Sequence, residues 1–211
     1  MIEQSEAGVF VHKFTTGRGS PYTLLLLHGT GGDEMAMIPI GRALAPSASL
    51  LSPRGPVREG GAARFFKFPA NGVFDVEDVA TNTHQLADFV KMASGAYGFD
   101  ATKIIPVGYS NGANIAASLL LLRAEHFPAA VLFRPMVIFE PETVPDLSDT
   151  AVYISAGNLD PLIAEENTQE LASLFRTARA RVTLSIENAT HALVKHEIAA
   201  AGKWLAERLG K

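Results

Sequence analysis

The sequence contains no cysteine, and this absence excludes three kinds of chemistry at once. Disulfide bridges, thiolate metal sites and a cysteine nucleophile all require a thiol. An excess of basic residues is also missing, because 18 Lys and Arg stand against 22 Asp and Glu, for a formal net charge of −4. A mildly acidic chain offers no electrostatic attraction to a phosphate backbone, so we expect no nucleic-acid partner.

Long apolar runs are absent too. The longest candidates, around 24–27 and 119–122, fall far short of the roughly 18 residues that span a membrane. The polar, acidic segment 1–6 is unlike a signal or transit peptide. With 47% hydrophobic and 19% charged residues, the 211-residue chain has the composition of a soluble globular protein. We expect a single domain over 1–211 in the cytoplasm, and the sequence leaves a homodimer open.

Short apolar segments alternate with longer segments of helical spacing, which predicts an α/β fold. Strands are predicted at 8–14, 22–28, 48–52, 103–108, 129–133, 151–156 and 182–186. Consecutive apolar residues, as in 24–27, are typical of strands buried on both faces of a parallel sheet. A helix is predicted from Val76 onward with Asp75 as its N-cap, and another helix ends the chain. We therefore predict a doubly wound, mostly parallel sheet with helices on both faces.

The strongest motif is G-x-S-x-G, formed by Gly108-Tyr109-Ser110-Asn111-Gly112. A predicted strand precedes it and a predicted helix follows it, so Ser110 would stand on a sharp strand-to-helix turn. Such a nucleophile elbow needs glycines because neighbouring backbones approach closely, and it exposes the serine hydroxyl above the sheet edge. The alternative is a glycine-rich turn in which Ser110 serves only as the helix N-cap.

A serine nucleophile needs a general base, and three histidines follow Ser110. His126 lies at the far end of the helix after the serine. His196 lies in the last helix, on its polar side with Lys195 and Glu197. His191 falls in the loop after the last predicted strand, at the same sheet edge as Ser110, so we predict that it is the base. A local hydrogen bond in that loop is its alternative role.

The base in turn needs an orienting carboxylate, which we assign to Asp160. This residue follows the predicted strand 151–156, whereas Asp146 and Asp149 precede that strand and would emerge at the opposite sheet edge. Because Pro161 follows it, Asp160 would also make a good helix N-cap. The two roles are compatible, since a carboxylate has two oxygens.

The loop 28–34 (HGTGGDE) follows the predicted strand 22–28. A dinucleotide fingerprint would need glycine where Glu34 stands, and the Lys-Ser/Thr pair of a P-loop is missing. In a serine hydrolase, this loop and the residue after the nucleophile each supply a backbone N–H to the oxyanion hole. We therefore predict Thr30 and Asn111 as the donors, and a structural hydrogen bond for His28. No spacing of His and carboxylates indicates a metal site, so we expect neither metal nor other cofactor.

These motifs resemble the phospholipase/carboxylesterase family of α/β hydrolases, and among them the small bacterial esterases associated with hydroquinone metabolism. The resemblance rests on HGTGGDE, SPRG, RFF, GVFDVEDV, GYSNGANIA, GNLDP and the late histidine, and it extends from Tyr22 to the last helix. It implies an α/β-hydrolase fold and a cofactor-free serine hydrolase, with Ser110, Asp160 and His191 as the triad. The sequence departs from the family at Thr190, where a glycine usually precedes the histidine.

The segment 53–74 breaks the alternation of strands and helices, and we predict that it forms an ordered flap over the active site. Its phenylalanines Phe65, Phe66 and Phe68 either pack into the core or line the substrate cleft, and we predict substrate binding. An extended backbone would point Phe66 and Phe68 to one side and Phe65 to the other. The cationic side chains of this segment form a solvated face or attract acidic esters; they are Arg54, Arg58, Arg64 and Lys67.

Together, these features predict a carboxylesterase that hydrolyses small to medium esters through an acyl-enzyme on Ser110. A lysophospholipase or an acyl-thioesterase would use the same three residues but would need an elongated apolar cleft. A hydrolase-fold binding protein without turnover is the alternative from a different class, and it has no need of all three groups. The expected partner is a small-molecule ester.

Overall fold

The structure is a computed structural model that describes residues 10–68, 73–123 and 125–210. Its strands are β1 (His12–Thr15), β2 (Thr23–Leu27), β3 (Ser49–Pro53), β4 (Val57–Glu59), β5 (Ala62–Arg64), β6 (Ile104–Tyr109), β7 (Ala129–Phe133), β8 (Ala151–Gly157) and β9 (Arg181–Glu187). Its α-helices are α1 (Ile38–Leu44), α2 (Val76–Tyr97), α3 (Asn111–Leu122), α4 (Glu165–Thr177) and α5 (Lys195–Arg208). Across the described ranges, no helix combines the length and the apolar character that a membrane crossing requires.

Seven strands form one sheet in the order β1-β3-β2-β6-β7-β8-β9. β1 is antiparallel to β3, and the other neighbouring strands are parallel. This arrangement confirms the predicted α/β fold with a mostly parallel sheet. The predicted strand 129–133 has the bounds of β7, whereas the predicted strand 8–14 overlaps β1, and its residues 8 and 9 lie outside the described residues.

The consecutive leucines of β2 supply two separate cores. Leu24 and Leu26 pack with residues of α1 and α5 on one face of the sheet. Leu25 and Leu27 pack with residues of α2, α3 and α4 on the other face. All four side chains are fully buried. Because successive side chains of a strand point to opposite faces, an unbroken apolar run is what a strand covered on both faces requires.

Helix α2 begins as predicted. The Asp75 side chain accepts a hydrogen bond from the backbone N–H of Asp78 at 3.0 Å, which makes Asp75 the N-cap. The helix ends at Tyr97, and the next residue, Gly98, closes the last turn in the left-handed conformation with a φ of 70°. The carboxylate of Asp78 also accepts the backbone N–H of Lys67 at 2.9 Å, so the start of this helix anchors the flap.

The flap contains regular structure that the sequence did not indicate. β4 and β5 form an antiparallel hairpin, and its turn residues Gly60 and Gly61 have φ values of 55° and 85°. Two successive positive φ angles are typical of a tight hairpin turn, which explains the adjacent glycines. Strands of three residues are too short to show an alternating pattern. Residues 69–72 of the predicted flap lie outside the described residues.

Candidate active site

The turn between β6 and α3 places Ser110 above the carboxyl end of the sheet. Ser110 has φ 53° and ψ −119°, a conformation that non-glycine residues seldom adopt. A Cβ at Gly108 would lie 2.3 Å from the Gly112 carbonyl oxygen, and one at Gly112 would lie 2.0 Å from the Leu27 carbonyl oxygen. Both positions therefore require glycine, and the turn has the geometry of a nucleophile elbow.

The structure brings the three predicted site residues together. His191 Nε2 lies 2.9 Å from Ser110 Oγ, and His191 Nδ1 lies 2.7 Å from Asp160 Oδ2. The Asp160 side chain is 1% exposed, and that of His191 is 18% exposed. The residues follow β6, β8 and β9, three parallel strands of the sheet that end at the same edge. A series of this kind can pass a proton from a serine hydroxyl to an imidazole that a carboxylate orients.

The two carboxylate oxygens of Asp160 have separate partners. While Oδ2 contacts His191, Oδ1 accepts the backbone N–H groups of Leu162 and Ile163 at 2.8 and 3.3 Å. The alternative of a helix N-cap is wrong, because α4 begins at Glu165 with Ala164 as its N-cap. Asp160 caps an isolated turn instead, and that turn holds the carboxylate in place against the imidazole.

Thr30 and Asn111, the predicted oxyanion donors, line the same cavity as Ser110. Asn111 is the first residue of α3, so its backbone N–H belongs to the helical turn whose N–H groups lack intrahelical acceptors. Its side-chain Oδ1 accepts the backbone N–H of Phe65 at 2.8 Å. Next to Thr30, the N–H of Gly31 donates to the Ala63 carbonyl at 2.9 Å. The flap is thus hydrogen-bonded to the segments of both predicted donors.

The cavity in front of Ser110 has a volume of about 450 Å³. Its lining is mostly apolar and includes Phe66, Phe68, Phe74, Met136, Leu162 and Ile163. Phe66 and Phe68 lie along it, whereas Phe65 does not. The prediction that Phe65 contacts substrate is therefore corrected: its buried ring packs against His28, with ring centroids 4.9 Å apart. Phe65 and Phe66 both belong to the core on this face of the sheet, but of the two only Phe66 also reaches the cavity.

His28 has the structural role that the sequence predicts. Its Nε2 accepts the backbone N–H of Gly55 at 2.9 Å, and therefore Nδ1 carries the proton and donates to the Gly29 carbonyl at 2.7 Å. Burial lowers the pKa of His28 below its ordinary value of 6.5, because the charged form loses its hydration. The neutral ring joins the loop after β2 to the loop after β3.

A buried ion pair next to the loop of His191 was not predicted from the sequence. Arg134 follows β7 and is 1% exposed, and its Nη1 and Nη2 lie 2.8 and 3.0 Å from the carboxylate oxygens of Glu197. Its Nε and Nη2 also donate to the carbonyls of Thr190 and Ala192, at 3.0 and 3.2 Å. These two carbonyls flank His191 in the chain. Arg134 therefore holds the loop that carries the imidazole.

The environment of Glu197 corrects the prediction that it lies on the polar side of α5. Its side chain is fully buried, and besides Arg134 it accepts hydrogen bonds from the Val194 N–H at 2.6 Å and from Ser155 Oγ. A buried carboxylate is tolerated when a cation and hydrogen-bond donors surround it. One sign of this ion pair is visible in the sequence: Arg134 directly follows the apolar strand 129–133, and a charge at the end of a buried strand needs a partner.

Tyr109 adds a further contact to the loop of His191. Its hydroxyl donates to the His191 carbonyl at 3.1 Å, and burial raises the pKa of this hydroxyl above 10.0. The side chain thus keeps its proton and remains a donor.

Among the residues the structure describes, no group of three or more His, Cys, Asp or Glu side chains could hold a metal ion.

Comparisons with known proteins agree with this fold. Residues 73–207 match the dienelactone hydrolase family. The chain is 41% identical over 190 residues to MhqD of Bacillus subtilis (strain 168). This aligned region covers 90% of this chain and 95% of MhqD. The crystal structure of a Bacillus cereus carboxylesterase matches with a TM-score of 0.91 and 40% identity, over 94% of both chains. YahD, whose structure was solved with malic acid, matches with a TM-score of 0.89 and 32% identity, over 93% of this chain and 98% of that chain.

These likenesses confirm the predicted α/β-hydrolase fold and the resemblance to carboxylesterases. The family match spans more than half of the chain, and the carboxylesterase structure is similar over nearly all of it. The cavity and the predicted site residues lie on this shared scaffold. The chain belongs to the dienelactone hydrolase family and is a hydrolase of the esterase type.

Proposed function

We propose that this chain is a serine carboxylesterase that hydrolyses small to medium carboxylic esters through an acyl-enzyme on Ser110. The observation that carries the proposal is the hydrogen-bonded series Ser110–His191–Asp160, with separations of 2.9 and 2.7 Å. Ser110 and His191 line a mostly apolar cavity of about 450 Å³, a size suited to a small ester.

In the acylation step, Ser110 Oγ attacks the ester carbonyl carbon while its proton passes to His191 Nε2. Asp160 Oδ2, at 2.7 Å, stabilises the resulting imidazolium through its Nδ1–H. The backbone N–H groups of Thr30 and Asn111 bind the developing oxyanion. The leaving alcohol takes the proton from His191. A water molecule then attacks the acyl-enzyme, with His191 as base, and releases the acid and free Ser110.

Labelling with a fluorophosphonate and turnover of 4-nitrophenyl esters test this proposal together. The wild type should gain one covalent adduct, mapped to Ser110 by peptide mass spectrometry. Ser110→Ala should gain none and should lose turnover by roughly 10⁴-fold or more. An adduct on another residue, or near wild-type turnover in Ser110→Ala, would end the nucleophile assignment.

The two late histidines offer a matched control for the base. His191→Ala should abolish turnover, because it removes the acceptor of the serine proton. His196→Ala should leave turnover unchanged, because the His196 side chain is 69% exposed and bonds only Glu187 among its described partners. The reverse ranking would contradict the assignment. A series of acyl-chain lengths in the wild type distinguishes a carboxylesterase from a lysophospholipase or acyl-thioesterase.

A further inference from the structure

Asn114 is a polar residue that lines the cavity in front of Ser110. It lies in the first turn of α3, where its backbone N–H donates to the Ser110 carbonyl at 3.0 Å. Residues four apart on a helix share a face, and helical side chains lean toward the N-terminus. The Asn114 side chain therefore lies one turn from the nucleophile and leans toward it. The residue is only 5% exposed, and the proposed acyl-enzyme mechanism assigns it no role.

A single hydrogen bond fixes the orientation of the Asn114 amide. Its Oδ1 accepts the backbone N–H of Met136, in the loop after β7, at 2.9 Å. A backbone N–H can only donate, so the amide atom that faces it must be the carbonyl oxygen rather than the NH₂ group. The fold therefore determines which side of the amide carries the two N–H donors.

The NH₂ group of Asn114 is a donor with unused capacity. In the described part of the chain, no acceptor lies within hydrogen-bond distance of it. Protein does not enclose this nitrogen either, because the buried side-chain polar atoms that lack a partner there are Ser52 Oγ and Arg64 Nε. The cavity is the open space that Asn114 lines, so the two N–H groups are accessible from it. A bound substrate would meet an unpaired donor one helical turn from Ser110.

An amide donor in a mostly apolar cavity distinguishes between substrates. A substrate that fills the cavity displaces the water that would otherwise hydrate this donor. An alkyl ester leaves the N–H groups unpaired in an apolar environment, which is costly, whereas an ester with an acceptor oxygen at this place restores a hydrogen bond. A carbonyl oxygen accepts an amide N–H at an ordinary distance and brings no charge into the apolar lining. Such a site rejects the analogue that lacks the acceptor more strongly than a purely apolar pocket does.

We propose that Asn114 is a specificity-determining residue and that the preferred substrates are esters with a second, uncharged carbonyl group. The inference rests on the proposed esterase function: the scissile carbonyl lies at Ser110, and the second carbonyl oxygen accepts a hydrogen bond from Asn114 Nδ2. A helix rises about 5.4 Å per turn, so the two carbonyl carbons of the substrate lie about three bonds apart, as in an ester of a 4-oxo acid.

Two pairs of uncharged esters test the proposal, and in each pair a C=CH₂ group replaces the second C=O group. Ethyl 4-oxopentanoate and ethyl 4-methylidenepentanoate carry the group in the acyl part. 2-Oxopropyl acetate and 2-methylprop-2-enyl acetate carry it in the alcohol. Acid release in a pH-stat gives kcat/KM for each ester, and the readout is the ratio of ketone to alkene. Comparing this ratio between a variant and the wild type cancels the intrinsic difference in reactivity between the two esters.

Asn114→Asp keeps an oxygen that accepts from Met136 and replaces the NH₂ donor with a second acceptor. For at least one pair, it should lower the ratio by about tenfold or more relative to the wild type. Asn114→Leu, which removes the donor and the bond to Met136 together, should lower the ratio as well. The matched control is Asn167→Asp, because Asn167 Oδ1 accepts the N–H of Val137 at 2.9 Å in the same loop but Asn167 does not line the cavity. This control should leave the ratio unchanged.

Unchanged ratios for both pairs in Asn114→Asp would overturn the proposal, because a residue that only holds the loop after β7 affects both esters of a pair alike. A wild type that turns over 4-nitrophenyl esters but none of these four would contradict it too. A wild type inactive on every ester would instead refute the proposed esterase function.

Proton NMR of the Ser110→Ala protein gives a readout that needs no turnover. The side-chain NH₂ signal of Asn114 is identified by its absence when Asn114→Asp is added to Ser110→Ala. At least one ketone ester should move this signal downfield, and its alkene counterpart should move it less, because only the ketone accepts the hydrogen bond. Equal shifts with ketone and alkene in both pairs, or no shift with any ester, would show that Asn114 does not recognise a second carbonyl.

Discussion

Replacing Glu197 with glutamine tests whether the buried ion pair holds the loop of His191. The substitution keeps the size and one oxygen of the side chain, so Oε1 can still accept from Val194 N–H and from Arg134 Nη2. It turns Oε2 into an NH₂ group that faces two donors, Arg134 Nη1 and Ser155 Oγ. It also removes the carboxylate charge that balances a guanidinium with no exposed surface.

The expected loss of stability follows from the burial of this guanidinium. Removing one partner of a buried ion pair costs about 3–5 kcal/mol, because the remaining charge stays in a dry environment. In a domain of this size, each kcal/mol lowers Tm by about 2–4 °C, so Glu197→Gln should lower Tm by roughly 6–20 °C. Arg134 would then reorient toward water and release the carbonyls of Thr190 and Ala192, which fix the position of His191.

Calorimetric Tm values and kcat for a 4-nitrophenyl ester, measured well below Tm, separate stability from positioning. The matched control is Glu170→Gln, at an exposed position of α4, where Tm should change by no more than about 1 °C. The double variant Arg134→Met with Glu197→Leu should regain much of the lost stability but not the lost kcat, because the loop carbonyls still lack their donor. A Glu197→Gln protein with wild-type Tm and kcat would refute the reasoning.

Three further predictions concern the orienting carboxylate, the buried histidine and the flap. Asp160→Asn should lower kcat by about 10³–10⁴-fold with little change in Tm, because the amide favours the wrong tautomer of His191 while still accepting the turn N–H groups; a change in Tm alone would mark Asp160 as structural. The lowered pKa of His28 means that the unfolded chain binds more protons below about pH 6.5, so the free energy of unfolding should fall as the pH drops below that value. In urea titrations at several pH values, His28→Gln should show a smaller fall than the wild type, and an equal fall would contradict this. Phe68→Ala, at a position 56% exposed, should raise KM for aromatic esters more than for acetate esters without lowering Tm, whereas Phe66→Ala, at a fully buried position, should lower Tm by roughly 6–20 °C. If Phe68→Ala lowered Tm and Phe66→Ala did not, Phe68 would be the core residue and Phe66 the substrate contact.

The sequence predicted the parts of the fold that depend on local patterns. Apolar runs such as 129–133 predict strands, because a strand covered on both faces of the sheet is buried at every position. The N-cap Asp75 marks the start of α2, since its side chain must satisfy a backbone N–H of the first turn. Chain order then predicted which loops meet at the carboxyl edge, and the structure brings Ser110, His191 and Asp160 together there.

Features that depend on contacts between distant segments could not be predicted. Glu197 lies next to His196, which is exposed, and only the pairing with Arg134, 63 positions away, explains why one of these neighbours is buried. The orientation of Phe65 toward His28 depends likewise on a partner 37 positions earlier in the chain. Periodicity reports which face of a helix or strand is apolar, but it carries no information on which charge will meet another in the folded chain.

The backbone of Ser110 argues against the simplest alternative for this residue, that of a helix N-cap. N-cap residues adopt extended backbone angles and accept a hydrogen bond from the first helical turn. Ser110 has φ 53° and makes no such bond, while its Oγ lies 2.9 Å from His191 Nε2. A non-glycine residue in so sparsely populated a conformation costs about 1–3 kcal/mol, which the surrounding structure must offset. Here the Ser110 N–H donates to the Phe133 carbonyl at 2.9 Å, and Gly112 packs against β2. The fold thus stabilises a strained serine whose hydroxyl points toward an imidazole. A role as helix N-cap explains neither the strained backbone nor the direction of the hydroxyl.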